Sequence, residues 1–325
     1  MEDRFHLYFH SPCFDGIVSC VLTQDFLELA QGSKVEGLIP VNYDLKNSWL
    51  STPLTSPSAV VDFLYHPRAE FWADHHLTTF LTSEAELHFK NRKGGPYVFY
   101  EDTAGSCAGL LWRQLLDRFS YRNDFYEPLI HWAEKIDAAR YDSVEEAVLG
   151  DNSALRIRSS LTFEDAQNYS VDLVHALREK TMDEVAELAW VNSRVERARN
   201  LLQAGLDRFS KACHLESDIA VFDVDTSDVL INRYAPYFFF PHARYSIGIL
   251  RTGDKTKITA MRNPWRDFSS LPLGPMFEKL GGGGHQRVGS LVLPRERSEE
   301  APQIVKTLVK EMSKSGAPAM EGVSG

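Results

Sequence analysis

The sequence predicts an α/β fold: a mostly parallel sheet flanked by helices, a long connector helix and a smaller C-terminal α/β domain. Three observations support this prediction. Short apolar strand-like runs alternate with a helical pattern at the start of the chain. Residues 181–212 then form one long amphipathic pattern, and strand-like runs with few helices follow it. The predicted divisions are an N-terminal domain over 1–180, the connector over 181–212, a C-terminal domain over 213–312 and a disordered tail over 313–325.

The first strand is predicted from Phe5, Leu7 and Phe9, which alternate with more polar residues until Ser11-Pro12 ends the pattern. A helix follows, and then three short apolar runs read as strands. These are a helix over 17–30 and strands over 35–41, 59–65 and 70–76. Because ligands bind beyond the carboxyl ends of parallel strands, polar residues at those ends are candidates for one shared site.

In the middle of the chain, apolar residues recur at the spacing of an α-helix. The predicted helices cover 103–119 with a cap at Thr103 or Ser106, then 127–142, 164–178 and 181–212. In the second of these, Asp137 directly follows Ile136, so it lies toward the edge of the buried face. No proline or glycine interrupts the last one before Gly205.

The C-terminal part is predicted to be a small mixed domain. Its strands cover 218–224, 245–253, 256–263 and 290–294, with TGDKT as the turn between the second and third; its helices cover 274–280 and 298–313. Between them lies a run of four glycines, which we interpret as too rich in glycine for a helix or strand interior.

Composition limits the classes of protein that the chain can belong to. Of its 325 residues, 43% are hydrophobic and 25% charged, which is typical of a globular protein, and the net charge is −10. The acidic balance disfavours a protein that grips long DNA through a basic surface. The N-terminus does not resemble a secretory signal, and no apolar run is long enough for a membrane span. The four cysteines match no disulfide framework or zinc ribbon, so we expect a cytoplasmic protein.

Carboxylates and imidazoles follow the predicted strands. His10, Cys13 and Asp15 lie in HSPCFDG, where a tight turn lets several side chains point at one spot and Gly16 allows close backbone approach. The alternative for Asp15 is an ordinary helix cap. Asp62 closes a buried strand, where a carboxylate needs a partner, and its position suits a ligand that bridges two metals; a salt bridge or a helix cap is the alternative.

The triplet Asp74-His75-His76 offers three polar side chains in a row. Strand alternation predicts that Asp74 and His76 point together while His75 faces away. On this reading, one histidine is a ligand of a metal ion, and the other contacts a phosphate group of the substrate. Asp137 is the best further carboxylate, with Asp142 as its competitor. This mixture of ligands suits two divalent ions, manganese first, with magnesium, iron or zinc as alternatives.

The glycine run offers a different chemistry. Gly282, Gly283 and Gly284 can present backbone N–H groups to an anion, and His285 adds a directional donor; a flexible linker is the alternative. Arg262 and Asn263 lie at the end of a predicted strand. The guanidinium of an arginine can donate two parallel hydrogen bonds to a phosphate or to the edge of a base. We therefore expect a substrate-binding surface in this domain.

As an ordered set, HSPCFDG, the aspartate of AVVDF, Asp74-His75-His76, Asp137 and GGGGH resemble the DHH phosphoesterase superfamily, in the subgroup with a C-terminal DHHA1 domain. The resemblance covers nearly the whole chain. The subgroup includes nanoRNases, dinucleotide phosphodiesterases, RecJ exonucleases and exopolyphosphatase-related proteins.

The resemblance implies roles for these residues. His10 would serve a first metal and Asp15 a second, with Asp62 between them. His76 and Asp137 would complete the second position, and His75 would hold the phosphate or leaving group with Asp74 as support. Arg262, Asn263 and the glycine run with His285 would bind the nucleotide or its terminal phosphate.

Two positions depart from the family pattern. Many members have an acidic residue at the position of Cys13, and a thiolate there shifts preference toward zinc or iron; the alternative is that Cys13 is not a ligand and the first metal is weakly held. Relatives often continue the glycine run with Ala-Ala-Gly, whereas this chain has residues 286–289 as Gln-Arg-Val-Gly.

The expected function is manganese-dependent hydrolysis of phosphodiester bonds in short oligonucleotides or dinucleotides, linear or cyclic. A polyphosphate or pyrophosphate hydrolase is the first alternative, and a nucleotide-binding regulator without catalysis is the second. We expect a phosphate-bearing small substrate and neither long DNA nor a membrane as partner; a homodimer is compatible with this.

Overall fold

The computed structural model describes residues 3–163 and 166–314. Contacts divide the chain into two compact units, Met1–Tyr141 with Asp151–Glu196 and Asp142–Gly150 with Arg197–Gly325. The division at Glu196 falls inside the predicted connector. The predicted tail from residue 315 onward, and residues 164 and 165 of a predicted helix, lie outside the described residues.

The first unit contains a sheet of five strands that are all parallel, which confirms the predicted sheet. Their order is β2-β1-β3-β4-β5. The strands are β1 (Arg4–His10), β2 (Lys34–Val41), β3 (Ser58–Val61), β4 (Phe71–Asp74) and β5 (Val98–Tyr100). Every residue of β3 and β4 is buried, which is why both read as continuous apolar runs rather than alternating ones.

The helices are α1 (Phe14–Asp25), α2 (Ser83–Arg92), α3 (Cys107–Phe119), α4 (Glu127–Asp137), α5 (Val144–Leu149), α6 (Ser153–Ser160), α7 (Ala166–Glu179), α8 (Met182–Ala186), α9 (Ala189–Ala212), α10 (Ala235–Phe239), α11 (Leu273–Glu278) and α12 (Ala301–Lys314). A π-helical turn, Phe26–Ala30, extends α1. None of the helices in the described ranges combines the length and apolar character that a membrane span requires.

Apolar side chains cover both faces of the first sheet. On one face, Leu7 packs in a cluster with Ile17 of α1 and Leu111 of α3. On the other face, Trp72 packs in a second cluster with Phe89 of α2. The sheet therefore has the doubly covered core that an all-parallel sheet needs, and its polar residues are concentrated at the strand ends.

The sequence analysis assigns no element to residues 77–101, where the structure has α2 and β5. Only Ala85 and Phe89 of α2 are buried, so its apolar pattern is too sparse to show a helical period. The long helix predicted over 181–212 is present as α9, but it begins at Ala189, because residues 182–186 form the separate helix α8. A capping box of Thr181 and Glu184 begins α8, but α8 ends at Ala186 with Glu187 as its C-cap, and an apolar period does not reveal such a short interruption before α9.

The second unit contains a six-stranded sheet in the order β10-β11-β9-β8-β7-β6. Its strands are β6 (Cys213–Glu216), β7 (Ile219–Asp225), β8 (Tyr245–Thr252), β9 (Lys255–Arg262), β10 (Gly283–His285) and β11 (Val288–Leu293). Only β7 and β8 run parallel, and the predicted hairpin joins β8 to β9. Ile247, Ile258 and Leu308 belong to its core, so α12 packs on this sheet.

The glycine run was expected to lie outside regular structure, and this expectation is wrong for Gly283–His285, which form β10. The strand pairs antiparallel with β11. Gly284 has φ +150°, and a Cβ there would lie 2.1 Å from the carbonyl oxygen of Val288. Glycine at this position therefore permits two backbones to approach more closely than a side chain would allow.

Gly16 fixes the junction between β1 and α1. A Cβ on Gly16 would lie 2.1 Å from the carbonyl oxygen of His10, which is backbone and cannot rotate away. We expect Gly16→Ala to lower the free energy of unfolding by about 1–3 kcal/mol, because the helix start must move off the strand end. Urea denaturation followed by circular dichroism measures this loss.

Gly109→Ala is the matched control, because Gly109 lies in the first turn of α3. Its Cβ would meet only side-chain atoms, Ser106 Oγ at 3.0 Å and Glu134 Cδ at 3.2 Å, and side chains can adjust. A Gly16→Ala protein as stable as the Gly109→Ala protein would contradict the steric argument.

Candidate metal centre

Three neighbouring strands end in polar residues at the same edge of the first sheet. His10 is the last residue of β1, Asp62 follows β3 directly and Asp74 is the last residue of β4. Because β1, β3 and β4 are adjacent and parallel, these ends meet, as predicted. Asp15 in the first turn of α1 and Asp137 at the end of α4 join them.

Asp62 is the centre of the arrangement. Its backbone has φ 54°, a left-handed conformation that aspartate tolerates better than most residues, and its N–H donates to Ala73 O at 2.9 Å. The carboxylate is 1% exposed. Its Oδ2 lies 3.3 Å from His10 Nδ1, and its Oδ1 lies 3.8 Å from His75 Nε2. The two oxygens of one carboxylate thus face two different groups of side chains.

The first group is His10, Cys13 and Asp62, whose ligand atoms all lie within 4.8 Å of one another. Burial raises the pKa of the Cys13 thiol well above its usual value, and the negative charges of Asp62 and Asp15 raise it further. Burial also opposes the ionisation of Asp62, but its hydrogen bond with His10 and the nearby imidazoles outweigh this and lower the pKa of Asp62.

The second group is Asp15, His75 and Asp137, and a third group, Asp62 with His75 and His76, overlaps both. His75 Nε2 lies 3.7 Å from Asp15 Oδ2 and 3.3 Å from Asp137 Oδ2. The other ring nitrogen, Nδ1, donates to Ala104 O at 3.1 Å, so Nε2 is the nitrogen that faces the carboxylates. Burial disfavours the imidazolium, but the neighbouring carboxylates of Asp137 and Asp15 outweigh this and raise the pKa of His75 to about 10.

This geometry fits bound cations. Among the described residues, Asp62 Oδ1 and His75 Nε2 are buried without a hydrogen-bond partner. Within the same ranges, the ion-pair partners found for Asp15, Asp62 and Asp137 are histidines alone. Buried carboxylates without lysine or arginine partners are costly unless a proton or a cation compensates their charge. Imidazole and carboxylate are ligands that divalent metals accept.

Asp15 is held by a second contact that the sequence did not reveal. Its two oxygens accept hydrogen bonds from the backbone N–H groups of Cys107 (2.7 Å) and Ala108 (2.9 Å), at the start of α3. The alternative of Asp15 as the cap of α1 is therefore wrong, since the N-cap of α1 is Cys13; Asp15 instead accepts from the first two N–H groups of α3, whose N-cap is Ser106. Burial raises the pKa of Asp15, and Asp62 and Asp137 add to this effect.

Asp74 holds His76 and the chain that follows β4. Its Oδ1 accepts from the backbone N–H of His75 at 2.8 Å and lies 2.8 Å from His76 Nδ1. The expectation that His75 faces away from its neighbours is wrong, because β4 ends at Asp74 and strand alternation no longer applies. His75 Nε2 and His76 Nδ1 each lie 3.8 Å from Asp62 Oδ1. The two rings differ in exposure, since the side chain of His75 is 10% exposed and that of His76 is 32% exposed.

Asp137 and Asp142, the two candidates for the further carboxylate ligand, lie in different surroundings. Asp137 lies in the second group of ligands, whereas Asp142 is exposed and belongs to the second unit, where its backbone N–H donates to Glu146 Oε2 at 2.7 Å. The structure favours Asp137.

Tyr43 lies at this centre and was not anticipated from the sequence. Its ring centroid is 5.0 Å from that of His10 and 5.3 Å from that of Phe63, and the residue is 40% exposed. Burial and the charges of Asp74 and Asp62 raise the pKa of its phenol. Tyr43 follows β2 by two residues, so the rule that selected the other strand ends also points to it.

The candidate substrate-binding residues lie in the second unit. Asn263 is 1% exposed and its amide donates to Pro241 O and Ala243 O at 3.2 and 2.8 Å. Arg262 is 8% exposed; its guanidinium donates to Asn263 O and Phe268 O, both at 3.2 Å. Both side chains therefore hold the loop that follows β9.

The glycines of the run differ in what surrounds them. A Cβ on Gly282 would lie 2.3 Å from Ser290 O, whereas one on Gly283 would meet nothing within 4 Å. Gly283 is thus the one of these two that faces open space. The side chain of His285 lies outside the described part of the structure.

Searches against protein-family models and against curated protein sequences found no match. Solved structures do match. The chain is similar to PggH, a pGpG-specific phosphodiesterase from Vibrio cholerae, with 18% identity, a TM-score of 0.73, and coverage of 96% of this chain and 100% of that one.

Two further solved structures are similar over nearly the whole chain. An exopolyphosphatase-related protein from Bacteroides fragilis has 12% identity, a TM-score of 0.53, and coverage of 96% of this chain and 94% of that one. RecJ from Thermus thermophilus in complex with Mn²⁺ has 14% identity, a TM-score of 0.56, and coverage of 95% of this chain; this chain spans 52% of that RecJ. The chain thus shares its fold with solved structures of a phosphodiesterase, RecJ and a DHH domain, as the resemblance of its ordered motifs to the DHH superfamily predicts.

Proposed function

We propose that this protein is a metal-dependent phosphoesterase that hydrolyses phosphodiester bonds in short oligonucleotides or dinucleotides, linear or cyclic. The carboxylate of Asp62 is the observation that carries the proposal, since its two oxygens face two separate groups of metal-ligand side chains. Such a bridging carboxylate is what a two-metal phosphate-cleaving centre needs. The similarity to a pGpG-specific phosphodiesterase supports the same class of reaction.

Two divalent ions are the proposed cofactors. His10, Cys13 and Asp62 would hold the first, and Asp15, Asp62, His75 and Asp137 the second. When bound, the ions would activate a water and neutralise charge on the phosphoryl oxygens. Manganese is the proposed metal, with magnesium, iron and zinc as alternatives; the similar RecJ structures in complex with Mn²⁺ and with Mg²⁺ support the first two.

The geometry leads us to reverse the roles expected for the two histidines. The ring of His75 is oriented by Ala104 O and directs Nε2 among the carboxylates, which suits a metal ligand. His76 is more exposed and engages Asp74 through Nδ1, which leaves Nε2 for a substrate. We therefore assign His75 to metal and His76 to the phosphate, with Asp74 as the residue that positions His76.

In this position, His76 can act as a proton donor. Burial disfavours its imidazolium, but the hydrogen bond and charge of Asp74 outweigh this and raise the pKa of His76. A protonated ring held by Asp74 can donate from Nε2 to a phosphoryl oxygen or to the leaving oxygen. Asp15, fixed on the start of α3, keeps the second group of ligands in place while this occurs.

In the second unit, we propose that the open side of Gly283 admits a phosphate to backbone N–H groups, with His285 as a neighbouring donor. Gly282 and Gly284 would act through packing, because a side chain on either would collide with β11. Arg262 and Asn263 would shape the adjoining loop.

A polyphosphate or pyrophosphate hydrolase is the second candidate, since the chain is also similar to an exopolyphosphatase-related protein. Tyr43 favours nucleotides, because its partly exposed ring beside His10 can stack on a base, and polyphosphate has no base. A third candidate, a regulator that binds nucleotide without catalysis, predicts ligand binding without turnover under any divalent metal.

The test is a substrate panel with Mn²⁺, namely linear and cyclic dinucleotides, short RNA, polyphosphate and pyrophosphate, for the parent protein and for Tyr43→Ala. We expect turnover of the nucleotides and, for Tyr43→Ala, a rise in KM of roughly fivefold to a hundredfold from lost stacking. Tyr43→Phe, which keeps the ring, is the matched control and should retain the parent KM.

Hydrolysis of polyphosphate alone would rule out the nucleotide assignment. Binding of dinucleotides with no turnover would favour the regulator. If Tyr43→Ala changes no kinetic constant, the stacking role is wrong even where the nucleotide assignment holds.

A further inference from the structure

The two groups of ligands at the centre differ in chemistry. The first offers an imidazole nitrogen, a thiol sulfur and a carboxylate oxygen, from His10, Cys13 and Asp62. The second offers an imidazole nitrogen from His75 and oxygens from Asp15 and Asp137. Sulfur favours soft and borderline cations, whereas carboxylate-rich positions suit manganese and magnesium.

Cys13 is placed where its sulfur can serve as a ligand. It is the residue before α1 and makes no side-chain cap bond, so the thiol is not engaged in holding the helix. Its sulfur and the ligand atoms of His10 and Asp62 lie within 4.8 Å of one another. Asp62 is 1% exposed and its Oδ2 lies 3.3 Å from His10 Nδ1, so a buried carboxylate oxygen faces this position, and the ion-pair partners found for Asp62 in the described part of the chain are histidines rather than lysine or arginine.

The other cysteines lack this setting. Cys107 donates its S–H to Ala73 O at 3.4 Å, and Cys20 lies among the apolar residues of the core. Cys213 belongs to β6 of the second unit. Among the described residues, Cys13 is the one cysteine found in a group of potential metal ligands.

We propose that the centre is a mixed-metal site, in which Cys13 directs a borderline-soft divalent cation, zinc first, to the position of His10 and Asp62. This inference rests on the two-metal proposal and adds metal identity to it. Binding there displaces the thiol proton to solvent and joins the thiolate sulfur to the cation, with no change of oxidation state. The second position, with its two carboxylates and one imidazole, takes manganese.

The experiment uses the full-length protein stripped of metal and titrated with Co²⁺, which reports a thiolate ligand through a sulfur-to-cobalt charge-transfer band in the near ultraviolet. We expect the band in the parent protein and its loss in Cys13→Ser, with Cys213→Ser as the matched control that keeps it. We also expect Cys13→Asp to lack the band. After dialysis against equal Zn²⁺ and Mn²⁺, the zinc-to-manganese ratio measured by mass spectrometry should fall severalfold in Cys13→Asp.

Circular dichroism establishes that each variant is folded. Cobalt binding without the band in the parent protein, or loss of the band in Cys213→Ser, would overturn the role of Cys13 and leave the two-metal proposal standing. If the parent protein binds no cobalt, zinc or manganese at all, both proposals fail.

Discussion

Replacing Asp62 by asparagine is expected to lower kcat/KM for a dinucleotide at least about a thousandfold, or about 4 kcal/mol of transition-state stabilisation. The loss is large because one carboxylate faces both groups of ligands, with Oδ2 toward His10 and Oδ1 toward His75. Asparagine keeps the shape and tolerates the left-handed φ of 54°, so the backbone should not change. Steady-state kinetics with Mn²⁺ and the metal content of the dialysed protein measure the effect.

Asp142→Asn is the matched control, since Asp142 is an exposed aspartate in the second unit and was the sequence-level competitor for a ligand role. It should keep both activity and metal content. A folded Asp62→Asn protein that binds two metals per chain and retains more than about a tenth of the parent kcat/KM would remove the bridging role.

The sequence locates the centre but not its internal geometry. His10, Asp62 and Asp74 could be selected because each follows a buried parallel strand, and the all-parallel sheet brings those ends together. The order of the strands cannot be read from the sequence, yet any order that keeps these three strands adjacent yields the same cluster. The meeting of these strand ends therefore follows from the sequence pattern without the full strand order.

Contacts between distant segments are what the sequence could not supply. The backbone N–H groups that hold Asp15 come from residues 107 and 108, 92 and 93 positions later, and no local pattern relates them. The orientations expected for His75 and His76 depended on strand alternation, which fails because β4 ends at Asp74, directly before them. Side-chain direction after a strand end depends on the turn, which only tertiary packing defines.

The glycine run is a case in which the local sequence predicts the wrong secondary structure. Its composition was taken as incompatible with a strand, since glycine weakens strand interiors. In the fold, the same glycines make β10 possible, because Gly284 lies so close to β11 that a side chain would collide with Val288 O. Local propensity and tertiary packing thus gave opposite predictions, and packing decided the outcome.

His75→Asn is expected to lose one metal per chain and at least about a thousandfold in kcat/KM, whereas His76→Asn should keep both metals and lose about a hundredfold to a thousandfold in kcat. Asparagine can preserve the Nδ1 contact in each case, to Ala104 O for His75 and to Asp74 for His76, and removes only Nε2. The difference arises because Nε2 of His75 faces Asp15, Asp62 and Asp137, whereas His76 is more exposed. Metal content and kinetics are measured on the same preparations.

His131→Asn, at an exposed histidine of α4, is the control and should match the parent protein in both measurements. The outcome decides between two assignments of the same pair. If His76→Asn loses a metal and His75→Asn keeps both, the roles follow the family resemblance as the sequence suggested. If the reverse holds, the buried ring of His75 is the ligand and Asp74 acts by holding His76 toward the substrate. Metal content distinguishes these cases even if both variants are inactive, because replacing either histidine is expected to remove most of the activity.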